Sequence, residues 1–197
     1  MNGNSRESDW ELMRLTAGGD TVAFKKLVER HQRAVVNLGY RFLGSREEAE
    51  DVAQEVFLRV YNSAKKYKPE ALFTTWLFRI ATNACLNQLR GRKRFRVVSL
   101  EAPSEGSQKE PVLNLQASDT TQPDIHLQQK ELKSAIMEAV GSLPPNQRMA
   151  VILKRFEGLS YQEIAEVLKV SVSAVESLLF RAKQTLKQRL AQYVQDN

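Results

Sequence analysis

Residues Tyr161 to Leu190, YQEIAEVLKVSVSAVESLLFRAKQTLKQRL, decide the fold. Apolar residues recur there at three- and four-residue steps on both sides of a short break, so the stretch predicts two helices joined by a tight turn, a helix-turn-helix. Ala165 falls where the two helices cross, and Ile164, Leu168, Val170, Val175 and Leu178 fall at the buried positions of that motif. Ser171 or Ser173 can cap the second helix through its hydroxyl. Beyond the cap, Val175, Leu178, Leu179, Ala182, Leu186 and Leu190 share one face, which is expected to be core. The other face carries Ser173, Glu176, Ser177, Phe180, Arg181, Gln184 and Lys187, a hydrogen-bonding, cationic and aromatic set suited to a major groove. Ser171, Ala174 and Lys183 complete the candidate DNA contacts. Lys169 stands at the turn position usually given to glycine, where a left-handed backbone costs about 1 kcal/mol. An ordinary helical hairpin is the alternative reading.

Working outward, the domain that holds this motif is expected to begin near His126 and to run to residue 197, with a first helix from Leu127 to Val140. In SLPPNQ, Pro144 or Pro145 starts the next helix, and Gly158 marks its end. Residues 95–125 are rich in Ser, Pro, Gln and Thr, lack helical period and read as a linker. The linker has a net charge of −3, between flanking segments of +6 (residues 1–94) and +3 (126–197).

From Asp9 the sequence is almost entirely helical in period, with no alternating strand-like run, so an all-α chain is expected. Asp9 is expected to cap a short helix ended by Gly18 and Gly19; Asp20 or Thr21 starts a second, closed by Gly44. His31 lies on the apolar face of the second and reads as a packed residue, not a metal ligand. A third helix opens at Ser45 with Glu47 and Glu48 in its first turn, where the dipole favours anions. Ala49, Val52, Ala53, Val56, Phe57 and Val60 project to its buried side, which leaves Asp51, Gln54, Glu55 and Leu58 together on the other. A leucine among two carboxylates and an amide suggests a docking surface for a basic partner helix, the plain alternative being a solvated acidic face. The basic, aromatic loop Lys65 to Leu72, including Lys66 and Tyr67, precedes a fourth helix capped by Thr74 or Thr75. Trp76, Leu77, Ile80, Ala81, Ala84 and Cys85 form that helix's apolar face, and Arg79, Asn83, Asn87, Arg90, Arg92, Lys93 and Arg94 add polar and cationic groups toward its end. Aromatic rings beside amides and cations are what unstacked bases and their phosphates need.

Composition narrows the function. The 197 residues hold 29 Lys plus Arg against 23 Asp plus Glu, a net charge of +6, which suits an anionic partner. One cysteine, Cys85, and two distant histidines leave neither a disulfide nor a metal cluster to build, so no metal and no cofactor is expected. No apolar run approaches the roughly 20 residues that span a bilayer. The polar start MNGNSRESDW has no signal-peptide core, so a cytoplasmic protein without a membrane insertion of its own is expected.

Three stretches, EEAEDVAQEVFLRVY, TTWLFRIATNACLNQLRGRKR and SLPPNQRMAVILKRFEGLSYQEIAEVLKVSVSAVESLLFRAK, in this order and separation resemble the extracytoplasmic-function group of the sigma-70 family of bacterial RNA polymerase. The resemblance covers nearly the whole chain. It implies two small helical domains: the first opens the minus-ten promoter element and grips the polymerase clamp, the second reads the minus-thirty-five element. Asp51, Gln54 and Glu55 match the family's clamp-binding residues, and Asn83 with the loop Lys65 to Leu72 matches the positions that capture an unpaired promoter base. Glu176 and Leu178 stand where many relatives carry cations. The resemblance also implies an anti-sigma protein as a partner beside core RNA polymerase and promoter DNA. Two other classes compete: a self-sufficient repressor or activator with the same helix-turn-helix, and an enzyme acting on nucleic acid. The acidic face argues against the first. The lack of a phosphate-binding glycine loop, a metal cluster or a Ser/His/Asp constellation argues against the second.

Overall fold

A computed structural model describes residues 7–69, 71–98, 132 and 134–191, with side chains between 93 and 98 left out of the description. The described residues are helical and contain no strand. In chain order the helices are α1 (Asp9–Ala17), α2 (Thr21–Leu43), α3 (Arg46–Ser63), α4 (Phe73–Val98), α5 (134–141), α6 (Pro145–Arg155), α7 (Tyr161–Leu168) and α8 (Val172–Arg189). A single 3-10 turn, Ala64–Lys66, follows α3. Helices α1 to α4 form one domain and α5 to α8 the other.

The helices start where their caps dictate. Asp20 accepts hydrogen bonds from the backbone N–H groups of Val22 and Ala23, and Ser45 from that of Glu48. At α1 the expectation is corrected: the cap is Ser8, in a capping box with Glu11, while Asp9 is the first helical residue and pairs with Arg30 at 2.5 Å. Ser8 can close the box because its partner sits three residues on; Asp9 has no such partner. Thr74 and Thr75 do not cap α4 either. The helix begins one residue before them, and Trp76 N–H bonds the Leu72 carbonyl. A second capping box, Ser160 with Glu163, opens α7. Backbone and side-chain hydrogen bonds from Ser8 hold the Glu11 carboxyl below its usual range; the Ser160 hydroxyl and then its backbone N–H do the same for Glu163. A lowered carboxyl favours the folded state above its unfolded pKa, so this contribution fades as pH falls through the folded values.

The faces of α3 follow the projection residue by residue: Ala49, Val52, Ala53, Val56, Phe57 and Val60 are buried against α2 and α4. Helix α2 comes close enough to α3 that a Cβ on Gly39 would lie 3.2 Å from both Cα and Cβ of Ala49. His31 is buried against the ring of Phe73 (5.1 Å), with Nε2 3.0 Å from Asp9 Oδ2. Cys85 is fully buried, and burial pushes its thiol up to about 12, so it is an inert core residue.

In the second domain Pro145 opens α6. Gly158 takes a left-handed turn at φ 72°, after which Leu159 N–H bonds the Leu153 carbonyl. Between α7 and α8 the turn is made by Lys169, left-handed at φ 55°, and Val170 N–H closes it on the Ala165 carbonyl. Ile164, Ala165, Val167 and Val175 are buried where α7 and α8 cross, but Val170 is 38 % exposed, contrary to its expected core position. The turn spends the Val170 backbone on closure and leaves its side chain outside.

The expected linker loses its first residues to α4, which continues through Val98; residues 99–131 lie outside the description, as does the start of the helix expected from Leu127. The two domains touch. Helix α4 packs on α7 and α2 on α6, so one apolar core runs from α1 into the helix-turn-helix.

Two glycines on adjacent elements make a paired test. Gly39→Val is expected to lower stability by about 2 kcal/mol, because the Ala49 backbone cannot yield to the new side chain. Gly91→Ala, with nothing within 4 Å of the added Cβ, is expected to raise it by about 0.5–1 kcal/mol. Urea unfolding of the two variants should move the midpoint in opposite directions; equal shifts would mean that the α2–α3 approach is looser than described.

Candidate nucleic-acid interfaces and an acidic docking face

On α4, Trp76, Arg79, Asn83, Asn87 and Arg90 follow one another at three- and four-residue steps and so line one stripe of the helix. Asn83, Asn87 and Arg90 are exposed, and Trp76 and Arg79 are half-buried. Arg90 Nη1 donates to Asn87 Oδ1 at 3.3 Å. Lys93 belongs to the same helix, with its side chain outside the description. The 3-10 turn exposes Lys65 and Lys66 at the head of the stripe and turns the chain so that Tyr67 folds back on α4. Tyr67 lies 4.8 Å from Trp76 and 6.0 Å from Phe73, and Phe73 lies 5.7 Å from Trp76, ring centre to ring centre. Burial, helped by Asp9, raises the Tyr67 phenol above its usual pKa, so it stays a neutral hydrogen-bonding group. A fixed cluster of rings flanked by amides and cations can stack an unpaired base and hold its phosphates.

Not every cation of this segment is available. Arg92 makes a two-pronged pair with Glu48 and donates to the Leu43 carbonyl, so it belongs to the packing of α4 on α2 and α3. The sequence reading groups Arg92 with its cationic neighbours, but at about 100° per residue it falls on the opposite side of the helix from the Asn83–Asn87–Arg90 stripe.

Asp51, Gln54, Glu55 and Leu58 are all exposed along the outer side of α3, with Leu58 at 64 %. Glu55 pairs with Arg59 at 2.5 Å, a surface pair worth about 0.3–0.5 kcal/mol that a partner's cation can replace. The carboxylate of Asp51 has no ion-pair partner among the described residues.

In the second domain the start of α8 is organised by serines. Ser171 Oγ accepts from the Ala174 N–H at 3.2 Å and lies 3.0 Å from Ser173 Oγ; Ser177 Oγ donates to the Ser173 carbonyl at 3.0 Å. These hydrogen bonds shape the start of the helix. Ala174 is half-buried; Glu176, Phe180, Arg181, Lys183 and Lys187 are exposed, Phe180 at 63 %. Val175 and Ala182 are buried on the opposite side. The helix thus offers an uninterrupted polar face with one aromatic ring, as a major-groove helix does. No three His, Cys, Asp or Glu side chains come together as metal ligands among the described residues, and no described helix is long and apolar enough to cross a membrane.

Comparison with known proteins agrees with this geometry. Residues 27–95 match Sigma-70 region 2, and residues 133–186 match Sigma-70, region 4. The ECF RNA polymerase sigma-E factor of Escherichia coli is 33 % identical over 190 residues, covering 93 % of this chain and 94 % of the relative. Among solved structures, CnrH in complex with the cytosolic domain of CnrY has a TM-score of 0.66 at 25 % identity, covering 94 % of this chain and 99 % of that one. The sigma factor RpoE in complex with the anti-sigma factor NepR from Bartonella quintana shares the fold, with a TM-score of 0.66 at 21 % identity over 85 % of this chain and 96 % of that one. Two region matches in the right order, a relative aligned over nearly its full length and the same two-domain fold place the chain in the extracytoplasmic-function group of the sigma-70 family, whose members direct bacterial RNA polymerase to promoters.

Proposed function

We propose that this chain binds core RNA polymerase through the outer face of α3 and reads a promoter with two separate surfaces, one in each domain. The observation that carries the docking face is Leu58: the most exposed large hydrophobic residue of a helix whose other large aliphatic side chains are buried, flanked by Asp51, Gln54 and Glu55. Carboxylates steer a basic partner into place and the leucine is the apolar anchor. The first domain, residues 1–94 as bounded in the sequence, would capture the unpaired minus-ten strand with Tyr67, Trp76, Asn83 and Asn87 between the cations Lys65, Lys66, Arg79, Arg90 and Lys93. The second, residues 126–197, would place α8 in the major groove at the minus-thirty-five element. Ser173, Glu176 and Phe180 then select bases, and Arg181, Lys183 and Lys187 hold phosphates. Glu176 accepts hydrogen bonds and cannot read guanine as an arginine would, which favours a cytosine amino group at its position.

Sigma factors are not enzymes, and the chain leaves phosphodiester chemistry to the polymerase. Its place of action is the cytoplasm, where the polymerase is. An anti-sigma protein covering the α3 face is the natural regulator, since the exposed Leu58 is usable by an inhibitor as readily as by polymerase.

Asp51→Arg combined with Leu58→Asp is expected to weaken binding to core polymerase by about 2 kcal/mol or more while leaving helical content and unfolding midpoint unchanged. Pull-down and circular dichroism on the same preparation check this, and loss of binding that comes only with unfolding would make the face structural. For the second domain, Arg181→Ala and Lys187→Ala are expected each to lower the log–log salt slope of duplex binding by about 1. Titrations of the full chain at several salt concentrations measure it; unchanged slopes would show that α8 does not meet phosphates.

A further inference from the structure

Beneath the rings assigned to the opened strand lies a polar pair that this assignment leaves unused. The buried ring of Phe73 lies 6.0 Å from Tyr67 and 5.7 Å from Trp76, and 5.1 Å from the imidazole of His31 on α2. His31 is only 8 % exposed. Its Nε2 lies 3.0 Å from Asp9 Oδ2, a distance that suits a hydrogen bond, but the direction does not, and the nitrogen has no hydrogen-bond partner among the described residues.

Asp9, the first residue of α1, is held from its other side. Arg30 Nη1 lies 2.5 Å from Asp9 Oδ1 and donates to the Glu7 carbonyl at 3.0 Å, while Lys26 pairs with Glu7 Oε2 at 2.5 Å. The capping box of Ser8 and Glu11 fixes the backbone between Glu7 and Asp9. The Asp9 charge also reaches Tyr67, whose phenol it helps to raise. Helix α1 packs in addition on the 3-10 turn that exposes Lys65 and Lys66. One clamped carboxylate therefore stands where α1, α2 and the loop before α4 meet.

A buried polar atom without a bond is uncommon in a native structure and calls for a reason. Core packing supplies none here, because an apolar ring at position 31 would fill the same space against Phe73 without stranding a nitrogen. Strand capture supplies one. Rings that are ordered only on binding subtract from affinity, so a stacking surface gains by being held still beforehand. Arg30 fixes Asp9, the carboxylate fixes the edge of the imidazole, the imidazole limits the tilt of Phe73, and Phe73 limits Tyr67 and Trp76.

We propose that Asp9 and His31 are positioning residues for strand capture, linking the start of α1 through Phe73 to the Tyr67 and Trp76 stacking surface. This rests on the strand-binding reading of α4 given above. Neither side chain touches the strand; both act on it through the rings. Helix α1 then does more than complete the core, because it sets how tightly the first domain holds unpaired DNA.

The test uses the full chain with Trp10→Phe, which leaves Trp76 as its one tryptophan. A short fluorescent single-stranded oligodeoxynucleotide of mixed sequence is the probe, since base–aromatic stacking tolerates any sequence. Asp9→Asn and His31→Phe are each expected to weaken its binding about fivefold, the worth of one hydrogen-bonded pair, and to make Trp76 emission more readily quenched by acrylamide. The double variant should bind no more weakly than either single one, because residues acting through one contact are not additive. Binding to core polymerase should be unchanged throughout, which shows that the first domain stays folded; His31→Phe also keeps a ring against Phe73. Additive losses, or a Trp76 as shielded as in the parent, would overturn the link between the pair and the rings. A more accessible Trp76 with unchanged oligonucleotide affinity would make the pair structural only and overturn the proposal. Trp76→Ala separates this failure from that of the underlying reading: if it leaves affinity unchanged, strand binding by α4 is wrong, and if it weakens binding while the pair variants do not, only the positioning fails.

Discussion

The last turn of α2 must satisfy its carbonyls, and the rest of the molecule is arranged around how it does so. A helix ends with four carbonyl groups that lack intrahelical donors and with a negative dipole end. Here Gly44, left-handed at φ 76°, turns its N–H back on the Tyr40 carbonyl, Arg92 of α4 reaches the Leu43 carbonyl, and Arg148 of α6 reaches that of Phe42. One helix end thereby joins α4 to α2 within the first domain and the second domain to the first. The Arg92 contact is reinforced by Glu48 at the start of α3, so the start of one helix and the end of its predecessor are clamped by a single guanidinium.

That clamp sets where the functional surfaces face. With α2, α3 and α4 packed on a shared core, the outer side of α3 and the polar stripe of α4 are displayed in fixed relation, one proposed for a protein partner and the other for an unpaired strand. Both are chemically simple. The α3 face is acidic with one apolar anchor; the α4 face is cationic and aromatic, and the two would not compete for the same partner. The same separation of roles recurs in the second domain, where serines build the start of α8 and leave Arg181, Lys183 and Lys187 outside.

Amphipathic helices with strong caps were legible from spacing alone. The six buried positions of α3, the outward Leu58, the Asp20 and Ser45 caps and the left-handed Lys169 all follow from local rules that need only neighbours within about one turn. Ser8 was missed in favour of Asp9 because both are good caps, and only the reciprocal bond to Glu11 separates them. Val170 was misplaced because hydrophobicity does not tell which way a turn residue points once its N–H is committed. Contacts over long sequence distances left no local mark: Arg92 with Glu48, Gly39 against Ala49, and Arg41 and Arg148 across the domains. A guanidinium in a basic helix looks the same in sequence whether it meets a phosphate or a carbonyl. Family resemblance supplied the partners; it did not indicate that the two domains pack on each other.

The most direct measurement is transcription from sigma-free core polymerase on genomic DNA of the source organism, with and without the purified chain, mapping the 5′ ends of the transcripts. The account predicts new start sites that appear only with the chain and share two upstream sequence elements at fixed spacing, each element lost from the shared pattern when the domain that reads it is altered at Asn83 or at Arg181. Absence of chain-dependent starts while the chain binds core polymerase, or starts that share a single element only, would contradict it.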